Sequence, residues 1–526
     1  MNEGVGDGND DRRSGRSAVS GEHDRRRVNR DVDHGPGRVS GQDDREPHGR
    51  DHAGGPGHEL TVDAARGRIL AAVQPLPAVT APIAAVAGMT LTAAIHAPID
   101  LPPFANAAMD GYALRAADVA GGQTRFRVVA GVTAGHQPTA PIAPGTAVRI
   151  MTGAPVPAGA DAVVRFEDVT LNEFAPSGHV DGGGDRPGSE STLRDTDGGF
   201  PNPDDERTES GAITGPRAGG HDDGPWTETG VPGRATLGLA TPSISLDRPV
   251  AIGQNVRPAG EDLTRGTLAI PAGTTLTPSH VGLLAALGLR HVAVHRRPVI
   301  AVLATGDELQ APGEPLGPAQ VHDANGPMLA AMVHEAGGEP LELGIARDDR
   351  DDLLGRLAAA GSADLIVTAG GVSAGDFDLV KDILREAGEV AFWRVRMRPG
   401  RPLAFGHLGE VPLVGLPGNP VAAAVAFLQF VRPAILTLLG RATSDLDLPV
   451  VPARLLDWVE NRGGRRHFVR VRLAGPDGDR TARLAGPQGA GMLSGLAAAD
   501  GLLVLPEDCP LAEPGTTFPV QVLPRS

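Results

Sequence analysis

Asp307 and Glu308 lie in "VLATGDEL", where a continuous apolar run gives way to a tight polar turn. Adjacent carboxylates at the end of a strand can hold Mg²⁺ or position a water. A second loop, "AGGVSAGDFDLVKD", brings Gly370, Gly371 and Ser373 close to Asp378 and Lys381. Glycines there allow the backbone to approach an anion with its N–H groups turned toward it. The Gly-Lys-Ser/Thr ending of a Walker A loop is absent. Lys381 is the only lysine of the chain; it follows Asp378 by one helical turn, so the two can share a face as an ion pair. A third loop, "GLPGNP", fixes Pro417 and Asn419 in a rigid turn at the start of an apolar helix. Between the last two, "FWRVRMRPGRPLAFG" alternates Arg394, Arg396 and Arg398 and adds Arg401 after a Pro-Gly turn. Strand periodicity places the first three on one face, and guanidinium forks suit phosphate and other oxyanions. Nearer the N-terminus, Asp110, Thr152, Glu261 and Asp262 sit in tight turns. Their spacing names no metal, and Asp-Gly is above all a turn dipeptide.

The elements that must carry these loops are legible from residue 297 onward. "PVIAVLAT", "DLIVTAG" and "VPLVGLP" are short runs without polar alternation, each followed by a glycine-rich turn and a helical pattern. Strands apolar on both faces that alternate with helices predict a doubly wound α/β domain over 297–440. In such a sheet ligands bind at the carboxyl edge, where all three loops fall. The alternating runs "HFVRVRLAG", "RTARLAG", "GLLVLPE" and "FPVQVLP" predict a C-terminal β-barrel domain over 441–526. Before the α/β domain, "RFRVVAGV" and "GTAVRIM" predict a small β-rich domain over 104–254. Residues 59–103 and 255–296 predict a helical linker domain, with helices capped near Thr61 and begun at Pro278. The fold expected is therefore α/β and multidomain. Residues 1–58, and an insertion over about 172–245, carry too little apolar surface to offset ordering entropy and are expected to be disordered.

Composition narrows the function. A net charge of −16 argues against a general nucleic-acid binder, so phosphate-bearing ligands must meet local arginines. One cysteine, Cys509, excludes an intrachain disulfide framework and a cysteine-cluster metal site. No run of about 18 uninterrupted apolar residues is present and the N-terminus lacks the apolar core of a signal peptide, so no membrane association and a cytoplasmic location are expected.

In order along the chain, "PPFANAAMDGYALRAADV", "RIMTGAPVPAGADAVV", "VLATGDEL", "DANGPML", "GIARDD", "TAGGVSAGDFDLVKDIL", "FWRVRMRPGRPLAFG" and "GLPGNPVAA" resemble the molybdopterin molybdenumtransferases, the MoeA-like proteins. The likeness runs over residues 59–524 apart from the insertion and weakens toward the C-terminus. The resemblance implies a molybdopterin-binding type of α/β domain and a homodimer. Its active site would lie between the α/β domain of one subunit and the small β-rich domain of the other. It implies adenylylated molybdopterin and molybdate as substrates, Mg²⁺ as cofactor and AMP as a product. A molybdopterin adenylyltransferase would act upstream, and molybdoenzymes or their chaperones downstream. By motif it assigns catalysis to Asp110, Thr152, Asp262, Glu308, Asp348 and Asp378. Arg394, Arg398 and Arg470 match basic positions expected to bind phosphate or molybdate, and the loops themselves add Gly370, Gly371, Ser373, Lys381, Arg401, Pro417 and Asn419 as expected anion or substrate contacts. Mg²⁺ would be held by Asp307, Glu308 and Asp378. The chain departs from the pattern where Arg394 and Arg398 replace lysines, and where Ala107 and Ala490 replace serines. Two other readings are an adenylyltransferase, opposed by the extra domains and the "GGVSAGDFD" loop, and a non-catalytic carrier of the cofactor.

Overall fold

The computed structural model describes residues 59–172, 242–372 and 379–524, without the side chains at 379–381 and 387. The expected disordered tail, the interior of the insertion, Ser373, Asp378 and the Lys381 side chain lie outside the described residues.

The α/β domain is built on a six-stranded sheet whose strands we number β1 (Val299–Thr305), β2 (Glu339–Ala346), β3 (Leu365–Ala369), β4 (Glu389–Arg394), β5 (Pro402–Leu408) and β6 (Val411–Leu416). Their order across the sheet is β2-β1-β3-β6-β5-β4. The first four are parallel, whereas β5 and β4 continue the sheet antiparallel. Successive residues of β1 explain the lack of polar alternation. Ile300 and Val302 enter a core with the helix Asn325–Glu335 and the long helix Pro420–Leu438, while Ala301 and Leu303 enter a second core with Arg350–Ala358 and Leu379–Ala387. Burial on both faces removes the need for polar positions.

Pro420–Leu438 is the one helix among the described residues long and apolar enough to cross a membrane by length and composition, and it is almost wholly buried in the first core. Gln429 and Arg432 interrupt its apolar run. A π-helical turn, Phe427–Val431, comes just before Pro433. Proline lacks the N–H an α-helix needs and crowds the carbonyl four residues back, so a wider turn accommodates it.

The first helix, Val62–Ala71, is capped as expected: Thr61 Oγ1 accepts from the Ala64 N–H at 3.1 Å. Its buried face of Val62, Ala65 and Ile69 belongs to the core of the α/β domain. Leu60 fixes the entry, its N–H donating to Arg394 O at 2.8 Å and its carbonyl accepting from the Arg396 N–H at 2.7 Å. The linker proper pairs Ala78–Pro82 with His291–His295 and carries the helix Pro278–Ala286, with a reciprocal cap between Thr277 and His280.

The small domain is a six-stranded sheet in which Thr170–Asn172 pairs antiparallel with Ser243–Ser245. The ordered sheet thus takes three residues at each side of the expected insertion. In the C-terminal domain, Arg466–Ala474, Thr481–Leu484, Val450–Leu455, Thr517–Val522 and Gly501–Leu505 pair in turn, and the last closes on the first as a barrel.

One expectation is corrected here. "FWRVRMRPGRP" is not a single strand with its arginines on one face. β4 ends at Arg394, and Met397–Arg398 joins the barrel in parallel with Arg466–His467. Arg396 turns away to donate to Gly464 O at 3.0 Å.

Candidate active site at the carboxyl edge of the α/β sheet

β1 and β3 lie side by side, with Ala304 opposite Ala369 at their carboxyl ends. From β1 the chain moves outward to β2, and from β3 the sheet extends the other way to β6, so the loops after β1 and β3 part and leave a crevice. The crevice is a cavity of about 570 Å³ lined by Glu308, Asn325, Asp348, Gly370, Gly371 and Asn419, with Pro417 beside them. Sites expected from three separate stretches of sequence therefore meet in one place.

Close approach of backbone sets the shape of the crevice. Gly370 has φ +103°, and a Cβ there would lie 2.5 Å from Thr305 O and 2.6 Å from Thr305 Oγ1. Only glycine lets the loop after β3 pass so near β1. Gly306, with φ +147°, leaves room for the Glu308 carboxylate, which a Cβ at 306 would overlap. The loops after β1 and β2 are joined by Asp307, whose Oδ1 accepts from the Asp348 N–H at 3.0 Å. Arg347 reinforces the joint by donating to Asp307 O at 3.1 Å and Leu309 O at 3.0 Å. Its own N–H donates to Asp352, and this bond, ahead of the salt bridge to Arg356, holds the Asp352 carboxyl below its ordinary pKa. Asp307 thus positions Asp348 and is not itself in the cavity wall. Glu308 and Asp348 are.

Asn325 and Asp323 are structural contributors that spacing alone does not reveal. Asp323 Oδ1 accepts from the N–H groups of Asn325 at 2.9 Å and Gly326 at 3.0 Å, turning the chain into its helix. Asn325 Nδ2 donates to Gly418 O at 2.8 Å, tying that turn to the "GLPGNP" loop, while its Oδ1 is buried without a hydrogen-bond partner. The signal for them was the Asp-x-Asn-Gly run before "PML". It marks a helix start and gives no hint of the distant carbonyl.

The expected arginines, Arg394, Arg398, Arg401 and Arg470, do not line this crevice. Arg394 and Arg398 are exposed at the junction with the barrel. Arg401 forms an ion pair with Glu59, its Nε donating to Oε1 at 2.6 Å. Arg470 is 1% exposed, and its guanidinium donates to the carbonyls of Met492 at 2.7 Å, Pro487 at 2.9 Å and Gly489 at 3.1 Å. It clamps the loop that contains Ala490. His467 lies beside them; burial, with the charges of Arg398 and Arg470, pushes its pKa down to about 4.

Asp110, Thr152 and Asp262 also lie outside the crevice. Asp110 Oδ1 accepts from the Thr152 N–H at 2.7 Å and from Thr152 Oγ1 at 2.8 Å. These two bonds hold the exposed Asp110 carboxyl below its ordinary pKa. Asp262 is exposed and ties its turn to Leu101 O through its N–H at 2.9 Å. Among the described residues no group of three or more His, Cys, Asp and Glu side chains is placed to hold a metal ion. Glu308 and Asp348 still suit Mg²⁺, which takes one or two protein carboxylates and fills its remaining positions with water and substrate phosphate.

Comparison with known proteins agrees with this architecture. The chain matches the MoeA N-terminal region (domain I and II) over residues 60–288, a probable molybdopterin binding domain over 301–437 and the MoeA C-terminal region (domain IV) over 452–523. It is 34% identical to molybdopterin molybdenumtransferase 2 of Mycobacterium tuberculosis strain H37Rv, covering 84% of this chain and 94% of that protein. It is 34% identical to the molybdopterin molybdenumtransferase of Haemophilus influenzae, over 73% of this chain and 78% of that one. The crystal structure of a molybdopterin biosynthesis MoeA protein from Pyrococcus horikoshii superposes with a TM-score of 0.65 at 28% identity, covering 88% of this chain and 99% of the other. With three successive MoeA segments in order and relatives matched over most of their length, the chain belongs to the MoeA family of molybdenum cofactor biosynthesis proteins.

Proposed function

We propose that this chain is a molybdopterin molybdenumtransferase that takes adenylylated molybdopterin and molybdate, releases AMP and leaves molybdenum on the dithiolene sulfurs. The observation that carries the reading is the meeting of Glu308, Asp348, Gly370, Gly371 and Asn419 in one cavity of about 570 Å³. The backbone at Gly370 and Gly371 accepts the phosphate-bearing body of the substrate, and the carboxylates take the proton of the water that attacks the adenylyl phosphorus. That water forms the new P–O bond while the bridging P–O bond breaks, and the molybdopterin phosphate leaves with the bridging oxygen. Glu308 and Asp348, joined by Asp378, would hold Mg²⁺, which draws charge from the phosphoryl oxygens.

Arg394 and Arg398 are proposed to receive molybdate or phosphate from the rim. Asp110, Thr152 and Asp262, remote from the crevice of their own chain, are proposed to reach the crevice of a second copy in a homodimer. The protein would act in the cytoplasm, after an adenylyltransferase and before the molybdoenzymes. Incubating the chain with adenylylated molybdopterin, molybdate, Mg²⁺ and an apo-molybdoenzyme tests this reading. Activation of the apoenzyme is expected; an apoenzyme that stays inactive while free cofactor activates it would refute it.

A further inference from the structure

The opposite edge of the same sheet carries a second cavity, of about 440 Å³. Three guanidiniums reach it from separate elements: Arg297 just before β1, Arg432 within Pro420–Leu438, and Arg441 just after that helix. Each is anchored by one backbone carbonyl. Arg297 donates to Ala87 O at 3.0 Å, Arg432 to Leu446 O at 2.9 Å and Arg441 to Gly88 O at 2.7 Å. None of these bonds neutralises a charge, and Arg441 Nε is buried without a hydrogen-bond partner. Burial pushes the pKa of Arg432 and of Arg441 down, against the opposing charges of Asp447 and Glu335 on Arg432 and of Asp445 on Arg441, and Arg432 depresses Arg441 a little further. Three carboxylates face the group: Glu335 and Asp445 line the cavity, and Asp447, itself paired with Arg66, acts on Arg432. Asp445 already accepts from Ser444 Oγ at 3.0 Å, and burial raises the pKa of Glu335 despite the opposing charge of Arg432. The floor between the guanidiniums is apolar, formed by Met332, Phe427, Leu428 and Leu436.

Like charges held together on rigid elements over an apolar floor call for an anion with an apolar body. We propose that this amino-edge cavity is a second ligand site, which binds an oxyanion carried as the phosphate monoester of a small planar or apolar molecule. Guanidinium forks match the oxyanion, and the floor accepts the body. The site shares no residue with the carboxyl-edge crevice, so it binds independently of the transferase reading.

The test is calorimetric titration of the full chain with inorganic phosphate and, separately, with a nucleoside monophosphate. Arg441→Gln and Arg432→Gln should each weaken binding roughly tenfold, the loss of one charge-assisted hydrogen bond. Glu335→Gln should tighten it several-fold, an effect that a folding defect does not imitate. Tighter binding of the monoester than of phosphate is expected, from the organic body on the floor; equal binding of the two overturns the proposal of a monoester site. Affinities for both probes that stay within twofold of wild type in all three variants overturn the proposal.

Discussion

The two edges of one sheet are furnished differently. At the carboxyl edge the wall consists of turns: glycines that bring backbone close, two carboxylates and an asparagine that ties one loop to another. At the amino edge it consists of a buried helix and its flanks, which present guanidiniums over apolar side chains. Chemistry that needs a proton acceptor and a conforming backbone sits where loops can vary without disturbing the cores. Charge that only has to hold an anion can be carried on the packed helix. The difference predicts that carboxyl-edge substitutions affect turnover and amino-edge substitutions affect stability or binding.

The largest separation is expected at Asp348. Asp348→Asn keeps the N–H that donates to Asp307. Turnover of the folded protein should fall by about 10²–10⁴-fold, as when a general base is removed. Turnover that stays at the wild-type value would erase the contrast. Gly370→Ala should do both, because its Cβ would meet Thr305 O at 2.5 Å in a backbone conformation that side chains rarely adopt. A loss of about 2–3 kcal/mol in denaturant unfolding, together with lost turnover, is expected.

At the amino edge, Asp364 accepts from Arg296 Nη1 and Nη2, each at 2.6 Å, and from the Val299 N–H at 2.8 Å, joining the starts of β1 and β3. Asp364→Ala should lower stability by about 2 kcal/mol through these lost charge-assisted bonds. Turnover of the folded fraction should stay at the wild-type value, and a matching fall in turnover would show that the two edges are coupled.

An effect confined to acid pH lies outside both edges, at His467. Its folded pKa is about 4 against an ordinary 6.5, so between those values the unfolded chain takes up a proton that the folded chain refuses. Stability should therefore be complete above pH 6.5, fall as pH drops toward 4 and level off below. The change is on the order of 3 kcal/mol at most, at about 1.36 kcal/mol per pKa unit. Comparing wild type with His467→Gln in unfolding titrations over that window isolates the effect; parallel curves would contradict it.

What could be read beforehand follows the range of the interactions. β1, β3 and β6 were legible because strands buried on both faces lose polar alternation, and the turns after them announce themselves by glycine and proline. The four arginines near Arg394 were not, because their partners lie far along the chain. Arg398 pairs with the barrel at His467, Arg396 bonds Gly464, and Arg401 meets Glu59. Period-2 spacing gives a face within a strand but not which sheet that strand joins. Asn325 escaped for the same reason, since its partner Gly418 arrives from the other end of the domain. The burial of Arg470 was not legible either, because nothing local shows the loop 487–492 folding over it.

The most direct test is AMP release from adenylylated molybdopterin by the wild-type chain, measured with and without molybdate and Mg²⁺. The account predicts release that requires both, at the carboxyl-edge crevice. Tight binding of the nucleotide with no release under any of these conditions would contradict it and leave the chain a carrier of the cofactor.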